Sequence, residues 1–349
     1  MEAVMSSDAK AASYVGLGYK LPFNPEGWYG LGFSSELKAG QVLIRKLMGQ
    51  DIVLFRTQSG KAVATDPYCP HMGAHFGHGG TVEGENLRCP FHGFCFDTNG
   101  QCVSTGYGTK PNPKGRLKVW PFRERNGILL VYYHPLGMEP QWEVPELPED
   151  NYRQPLFTTF DIDSHPQETS ENSVDLGHLS IIHGYEGVET LKPLRTEGPY
   201  LTTKYKMVRS ADFLGLKGSK ITAEFEIHVH GLGYSFVDVS VPAKQMRTRH
   251  FVLATPVADG KIQLRIGLSL KHLENRSKVH PLMALLPTAV VNKIVESAAF
   301  KGFAHDVQQD FDIWQNKTYV HPPALAMGDG PVGQYRLWTK QFYHSAPQS

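Results

Sequence analysis

The pattern of hydrophobic and polar residues differs between two parts of the chain. From residue 27 to about Pro135, short runs of β-forming residues are separated by turns, as in "QVLIRKLMGQDIVLFRTQSGKAVATD", where Gly49 and Ser59-Gly60 supply the turns. This pattern predicts an all-β module over residues 27–135. A stretch with several prolines, "HPLGMEPQWEVPELPED", follows it and predicts a domain boundary.

The rest of the chain contains longer runs rich in β-forming residues and two stretches typical of helices. The strand-like runs are "LTTKYKMVRS", "KITAEFEIHVHG", "YSFVDVSV", "RTRHFVLATPV" and "KIQLRIGLSLK". They predict an α+β domain over residues 136–349, with an antiparallel sheet and helices against one side. Residues 1–26 are expected to form an N-terminal arm. Two domains also agree with a length of 349 residues.

Composition narrows the possible partners and compartment. There are 35 Lys+Arg against 34 Asp+Glu, a net charge of +1, so nothing favours nucleic acid or an anionic membrane as a partner. The N-terminus lacks a basic segment followed by an apolar one, and no run of roughly 18 apolar residues occurs. We therefore expect a cytoplasmic protein without a membrane span. In that compartment Cys95 and Cys102 should be reduced core thiols.

Two Cys-His pairs carry the strongest chemical signal. Cys69 and His71 lie in "CPHMGAHFGHGG", and Cys89 and His92 lie in "CPFHGFCFD". Two thiolates can hold one iron of a [2Fe–2S] cluster while two imidazoles hold the other. Zinc fingers usually begin with a Cys-Cys pair and finish with a His-His pair, so a repeated Cys-His pair fits zinc poorly. The pattern predicts a Rieske cluster.

A second metal site is indicated by "QETSENSVDLGHLSIIHGYEG", which carries His178 and His183. On an ideal helix these residues point about 140° apart, so the helix must end or be distorted between them, and we favour a π-bulge. Asn172 and Asp175 occupy a stripe that should otherwise be apolar, which suggests a metal or a hydrogen-bond network. The alternative is two ordinary histidines on an amphipathic helix.

A third ligand should be a carboxylate, because two histidines and one carboxylate on one face of an iron leave positions for O2 and substrate. The late helix, predicted over roughly residues 288–316, offers Asp306, Asp310 and Asp312. The apolar stripe of that helix makes Asp310 the buried acid and the predicted ligand. Asp312 is expected to face solvent, and Asp306 is the fallback ligand or a partner of the ligands.

With these motifs the chain resembles, over nearly its full length, the catalytic component of Rieske-type non-haem iron oxygenases. "NSVDLGHLSIIH" is similar to the family pattern Asn-x2-Asp-x2-His-x4-His, and Asp310 lies in "QQDFDIW". The resemblance implies that His178, His183 and Asp310 bind mononuclear iron(II), with Asn172 and Asp175 at the catalytic site. Asp175 would bridge a ligand histidine to a cluster histidine of a neighbouring chain. A helix-grip, START-like catalytic domain and a homotrimer are also implied.

Within the family, "DIWQNKTYV" and "YRLWTKQFYHS" look most like the branch of cholesterol 7-desaturases and ketosteroid 9α-hydroxylase oxygenases. This resemblance implies oxidation of a sterol or steroid C–H bond, by hydroxylation, ring-methyl oxidation or desaturation, with O2 and with NAD(P)H electrons from a separate reductase or ferredoxin. The alternatives are an aromatic or alkaloid-like substrate, or a pure electron carrier. The apolar residues considered for the pocket are Phe213, Leu214, Leu216, Tyr234 and Phe236.

Overall fold

The computed structural model describes residues 15–16, 19–148, 150–210 and 218–344. The described residues divide into two compact units, one of Trp28–Glu146 and one that joins the described residues before Trp28 to those from Leu147 onward. The first unit continues beyond Pro135 because the following segment packs back on to it. There, the Trp28 indole N–H donates to the Trp142 carbonyl (2.9 Å).

The first unit is built from short strands, as the turn-rich pattern predicts. Two short strands, β1 Val15–Gly16 and β2 Tyr19–Lys20, precede this unit. The strands that follow are β3 Gly27–Phe33, β4 Val42–Leu47, β5 Gln50–Arg56, β6 Ala62–Thr65, β7 Thr81–Glu83, β8 Asn86–Arg88, β9 Cys95–Phe96, β10 Cys102–Ser104, β11 Phe122–Arg125 and β12 Ile128–Tyr133. β1 pairs with β2, and the other ten form sheets in the orders β4-β5-β6, β11-β12-β3 and β10-β9-β8-β7.

The predicted turn at Gly49 is confirmed. Leu47 pairs with Gln50, and Met48 and Gly49 between them both have positive φ angles, 50° and 81°. A two-residue hairpin turn of this kind matches the twist of the flanking strands, and glycine reaches such angles without a steric penalty. The turn therefore sets the register in which β4 and β5 bury their apolar side chains.

The second unit contains one seven-stranded antiparallel sheet in the order β13-β19-β18-β17-β16-β15-β14. Its strands are β13 Leu156–Ile162, β14 Glu186–Glu197, β15 Tyr200–Ser210, β16 Lys220–His230, β17 Tyr234–Val241, β18 Met246–Ala258 and β19 Lys261–Leu270. The five runs predicted as strands correspond to β15 to β19. The predicted antiparallel sheet is thus confirmed.

Two helices of this unit lie between β13 and β14 in the chain, and the others come after β19. They are α1 Pro166–Glu171, α2 Gly177–Ile181, α3 Arg276–Val279, α4 Thr288–Gln309, α5 Phe311–Asn316 and α6 Val332–Thr339. The longest, α4, packs against β19 and β13, where Phe303 and Val307 join a buried cluster with Leu264 and Ile266. This packing fixes the C-terminal end of α4 over the sheet, close to α2.

His165 ties the beginning of α1 to the segment that precedes the first unit. Its Nδ1 accepts from the Gln167 backbone N–H (3.1 Å), and its Nε2–H donates to the Pro22 carbonyl (3.1 Å). Burial lowers the pKa of His165 to about 4, although the bond to Pro22 acts in the opposite direction. A protonated ring would also bring an N–H against the Gln167 N–H.

We expect this histidine to make the protein acid-sensitive. The unfolded chain binds the proton near pH 6.5 and the folded chain only near pH 4, so stability should fall as the pH decreases between those values, by up to about 1.4 kcal/mol per pH unit. His165→Asn should melt at a lower temperature at neutral pH but lose less stability on acidification. Melting curves of both proteins, with the exposed His305→Asn as control, test this; equal slopes for all three would contradict it.

Candidate functional site

The two predicted cluster loops share one backbone arrangement. The Cys69 N–H donates to the Ala74 carbonyl (2.8 Å), and the Cys89 N–H donates to the Phe94 carbonyl (2.8 Å). In each loop a glycine N–H also donates back to the cysteine carbonyl. These glycines have φ angles of 75° and 67°, which favour glycine, so each loop can return sharply after presenting its ligand pair.

The cysteine and histidine side chains of these loops differ in burial. Cys69 and Cys89 are buried, with 3% and 2% exposure, whereas His71 and His92 lie nearer the surface with ring centroids 4.8 Å apart. Burial and the adjacent Cys89 raise the pKa of Cys69 to about 12. Two buried thiolates need a positive partner, which cluster iron provides, so the residues fit a cluster held by sulfur inside and nitrogen outside.

Apolar side chains surround the histidine ends of the two loops. The Phe94 ring stacks on His71 (4.2 Å, 14° between planes), and the Phe91 ring lies 3.7 Å from that of His92. Phe91 and Met72 remain exposed at 61% and 65%. The histidine ends of the loops are therefore framed by an exposed, mostly apolar surface.

Cys95 and Cys102 lie on the neighbouring strands β9 and β10. Both are buried free thiols, which agrees with the prediction for these two residues. Burial raises the pKa of Cys102, so this thiol is expected to stay protonated and unreactive at neutral pH.

The structure brings His178, His183 and Asp310 together. One ligand atom of each lies within 4.8 Å of the others, and His183 Nε2 is 3.5 Å from a carboxylate oxygen of Asp310. The two imidazole centroids are 5.2 Å apart. Two histidines and one carboxylate in this arrangement fit a mononuclear iron with open positions.

Helix ends, not a π-bulge, create this arrangement. The α2 helix ends at Ile181, and Gly184 (φ 65°) then lets the Tyr185 N–H donate to the Leu179 carbonyl (3.0 Å). His183 is thereby turned to the side of His178. The expected π-bulge is wrong because terminating the helix already removes the angle of about 140° that an ideal helix would impose.

The helix predicted near the C-terminus is likewise interrupted, at Asp310. A single helix over residues 288–316 was expected, but α4 ends at Gln309 and α5 begins at Phe311. Asp310 occupies the break and is 6% exposed. A buried acid at a helix junction can turn towards α2 without following the apolar stripe of either helix.

The surroundings of Asp310 explain why it needs a cation. Burial raises its pKa, although His183, His178 and a hydrogen bond from Asn172 favour the charged form. The Asn172 oxygen accepts from the Trp314 indole N–H (3.4 Å), so its amide N–H2 is left to face the carboxylate. A buried carboxylate with no cation is unfavourable, so the site fits a bound metal.

Asp175 lies beside the other histidine. One of its carboxylate oxygens accepts from the His178 backbone N–H (3.3 Å), and the other is 3.8 Å from His178 Nδ1. Burial acts to raise the pKa of Asp175, but the combined contacts with His178 leave this pKa below its ordinary value. The Asp175 side chain is 34% exposed, so the carboxylate contacts His178 on one side and solvent on the other.

The two other acids considered for the third ligand are placed differently. Asp306 accepts from the Tyr185 hydroxyl (2.8 Å) and pairs with Arg209 (2.7 Å), and Asp312 is exposed. Asp306 is therefore already balanced by a cation one helical turn from Asp310. Sequence reasoning missed Tyr185 and Arg209, because neither belongs to a local motif.

A largely apolar cavity opens beside the three grouped side chains. Its volume is about 1,080 Å³ with the solvent at its mouth included. His178, His183 and Asp310 line one part of it, and Arg209 and Asp306 contribute a polar patch. Its apolar walls include Met207, Phe225, Ile227, Val237, Val252 and Phe303.

The two expected pocket residues that the structure describes, Tyr234 and Phe236, do not line this cavity. Among the described residues, Ser235 and Val237 of β17 line it, whereas Tyr234 and Phe236 do not. Successive side chains of a strand point to opposite faces, so an error of one position selects the wrong face. The other expected residues, Phe213, Leu214 and Leu216, lie outside the described part of the chain.

Two family models match the chain, one over the segment with the Cys-His pairs and one over the segment with His178, His183 and Asp310. Residues 27–121 match the Rieske [2Fe-2S] domain, and residues 131–343 match the 3-ketosteroid 9alpha-hydroxylase C-terminal domain. Together the two matches include all the predicted ligands.

Curated relatives match over most of the chain. Cholesterol 7-desaturase nvd 1 of Ciona intestinalis is 30% identical over 339 residues, covering 92% of this chain and 69% of the relative. The 3-ketosteroid-9-alpha-monooxygenase oxygenase component of Rhodococcus rhodochrous is 28% identical over 328 residues, covering 91% and 83%.

Solved structures of similar fold include dicamba monooxygenase bound to dicamba, with a TM-score of 0.68 and 20% identity over 90% of this chain and 96% of that chain. NdmA of Pseudomonas putida CBB5 has a TM-score of 0.63 and 18% identity, covering 90% and 88%. Across the described segments, no helix is both long and apolar enough to traverse a bilayer. The family matches, the relatives and the fold together identify the chain as a member of the Rieske-type non-haem iron oxygenases with a 3-ketosteroid 9α-hydroxylase C-terminal domain.

Proposed function

We propose that this protein oxidises a C–H bond of a sterol or steroid. The observation that carries the proposal is the apolar cavity that opens on to the grouped side chains of His178, His183 and Asp310. A fused-ring hydrocarbon fits walls of this chemistry, because burial of apolar surface is the main source of its affinity. Sterol- and steroid-acting names among the relatives support the same substrate class.

Membership of the family implies a Rieske [2Fe–2S] cluster, a mononuclear non-haem iron, O2 as co-substrate and electrons from a reductase. When bound, the cluster supplies electrons one at a time and the mononuclear iron binds and activates O2. In the proposal, Cys69, His71, Cys89 and His92 hold the cluster. The grouped residues at the cavity hold the iron.

Each side chain around the iron site has a separate task in this proposal. His178, His183 and Asp310 would hold the metal, and all three line the cavity in which the substrate would lie. Asn172 donates to Asp310 and keeps its carboxylate oriented. The apolar walls hold the substrate and exclude water from the reacting C–H bond.

Electron transfer is proposed to cross between chains. Asp175, which lies against His178, would accept a hydrogen bond from a cluster histidine of a neighbouring chain in a homotrimer. A carboxylate that contacts both metal sites gives electrons a short path. The division into an N-terminal arm (1–26), a cluster domain (27–135) and a catalytic domain (136–349) belongs to this proposal, and the cytoplasmic location stays a prediction.

The overall reaction for hydroxylation is R–H + O2 + 2 e⁻ + 2 H⁺ → R–OH + H2O. The same inputs balance desaturation, in which two hydrogen atoms leave the substrate and two water molecules form. Ring-methyl oxidation repeats the first reaction at one carbon. The residues at the site are compatible with all three outcomes.

The direct test is turnover by the reconstituted protein. The purified chain, loaded with iron and supplied with NAD(P)H and a ferredoxin reductase system, is incubated with cholesterol and with a 3-ketosteroid. We expect O2-dependent formation of a product that has gained oxygen or lost two hydrogen atoms, detected by mass spectrometry. An aromatic acid or alkaloid turned over in preference to every sterol and steroid would overturn the substrate class.

Narrowing the cavity provides a second test. Val237→Trp should fill part of the space between β17 and the iron site and raise the KM for the sterol by about tenfold or more, since losing a fitted hydrophobic contact is worth ~1–3 kcal/mol. Iron content should not change. Val290→Trp, on an exposed part of α4, is the matched control. Equal KM values for both variants would place substrate binding elsewhere.

A further inference from the structure

Gln309 is the last residue of α4 and the direct neighbour of Asp310. We propose that Gln309 is a positioning residue for the mononuclear iron: its side-chain oxygen fixes the orientation and tautomer of His183. Because it is a neutral acceptor, it also keeps the iron at a higher reduction potential than a carboxylate would. The inference rests on the proposed function in that it requires iron at this site.

The geometry of the contact determines which nitrogen is available. Gln309 Oε1 lies 2.9 Å from His183 Nδ1. An amide oxygen can only accept, so Nδ1 carries the hydrogen and Nε2 presents its lone pair. Nε2 is the atom 3.5 Å from the Asp310 carboxylate. Gln309 thus holds His183 in the form that can bind a metal next to Asp310.

The Nδ1 atoms of the two histidines have different surroundings: His183 Nδ1 has a hydrogen-bond partner within the described residues, whereas His178 Nδ1 has none. His178 Nδ1 lies 3.8 Å from the Asp175 carboxylate, whereas His183 Nδ1 bonds to a neutral amide. A charged acceptor makes an imidazole a stronger electron donor to its metal, which stabilises the ferric state. Because the acceptor for His183 is the neutral amide of Gln309, this imidazole would donate less electron density to a bound iron than it would with a carboxylate acceptor.

The position of Gln309 at the helix end also restrains the relative positions of His183 and Asp310. At the break after α4, Asp310 lies beside His178 and His183, and Gln309 contacts His183, so adjacent residues would supply one metal ligand and support another. The His183 side chain is 7% exposed and the Asp310 side chain 9%, so little solvent competes for these contacts. A hydrogen bond between α4 and the segment after α2 therefore sets the separation of two ligands before metal binds.

The first experiment removes the acceptor. In Gln309→Leu, His183 should rotate more freely, and the affinity of the iron-depleted mononuclear site for Fe(II) should fall about 10- to 100-fold, as is usual when a ligand histidine loses its acceptor. The visible spectrum of the cluster should not change. Gln308→Leu is the matched control, because the adjacent glutamine is exposed and lies on the same helix turn.

The second experiment keeps an acceptor but changes its charge. Gln309→Glu should bind Fe(II) as tightly as the original protein, because Nδ1 still has a partner. The midpoint potential of the mononuclear iron, followed by the ferric EPR signal during a redox titration, should be lower. A role limited to packing would leave this potential unchanged, so an unchanged potential overturns the electronic part of the inference.

The outcomes separate this inference from the proposed function. If the original protein binds iron and oxidises a sterol, yet Gln309→Leu binds Fe(II) with the same affinity, only the role of Gln309 fails. If the original protein holds no iron beyond its cluster, the proposed function fails first, and this inference fails with it.

Discussion

Replacing His178 with alanine should abolish oxidation while leaving the cluster in place. The residue supplies one of three grouped ligand atoms within 4.8 Å, and the two that remain are too few to retain a mononuclear iron tightly. We expect turnover to fall by at least ~10²-fold, beyond the 10- to 100-fold loss typical of removing an outer partner of a ligand. The visible absorption of the cluster should persist.

Metal analysis provides the measurement for this variant. The complete protein should contain about three irons per chain, two in the cluster and one at the cavity, and the His178→Ala protein about two. His305→Ala, which changes an exposed histidine of α4, should keep all three. Full iron content together with normal turnover in the His178→Ala protein would show that the ligand assignment is wrong.

Replacing Asp175 with asparagine should separate metal binding from turnover. The variant preserves shape but removes the negative charge beside His178, and it cannot accept from two histidines as well as a carboxylate can. Iron content should remain near three per chain, while turnover should fall by about 10²-fold, at the upper end of the range for such partners. Stopped-flow spectroscopy should show slow reoxidation of a prereduced cluster in the presence of substrate and O2.

Asp312→Asn is the control for this experiment, because it makes the same chemical change at an exposed aspartate of α5. Its turnover and cluster reoxidation should match those of the original protein. Should Asp175→Asn reoxidise its cluster at the original rate, electrons do not depend on this carboxylate, and the proposed path between chains has to be abandoned.

Much of the architecture can be predicted from the sequence, because each strand and each Cys-His loop is specified by residues close together in the chain. The runs that correspond to β15 to β19 show their strand character within a few residues, and the turn after β4 is indicated by Gly49, which tolerates positive φ. The spacing of the Cys69/His71 and Cys89/His92 pairs is sufficient to predict a cluster site. These features need no knowledge of what packs against them.

Other features depend on contacts between distant segments. Which face of β17 lines the cavity is a matter of register against β16 and β18, so Val237 lines it and Phe236 does not. The hydrogen bond from His183 to Gln309 joins residues far apart in the chain. Helix periodicity correctly indicated burial of Asp310 but missed the break that directs it towards α2.

The sequence by itself thus determined the strand-rich architecture, the two Cys-His loops and the short set of residues from which a mononuclear site could be built. Only the tertiary structure decided which of them meet, since the directions of His178, His183 and Asp310 are set where α2 and α4 end over the sheet. The physical reason is that local propensity fixes the type of each element, whereas its ends, its register and the partners of its buried polar groups are selected by packing between segments distant in the chain.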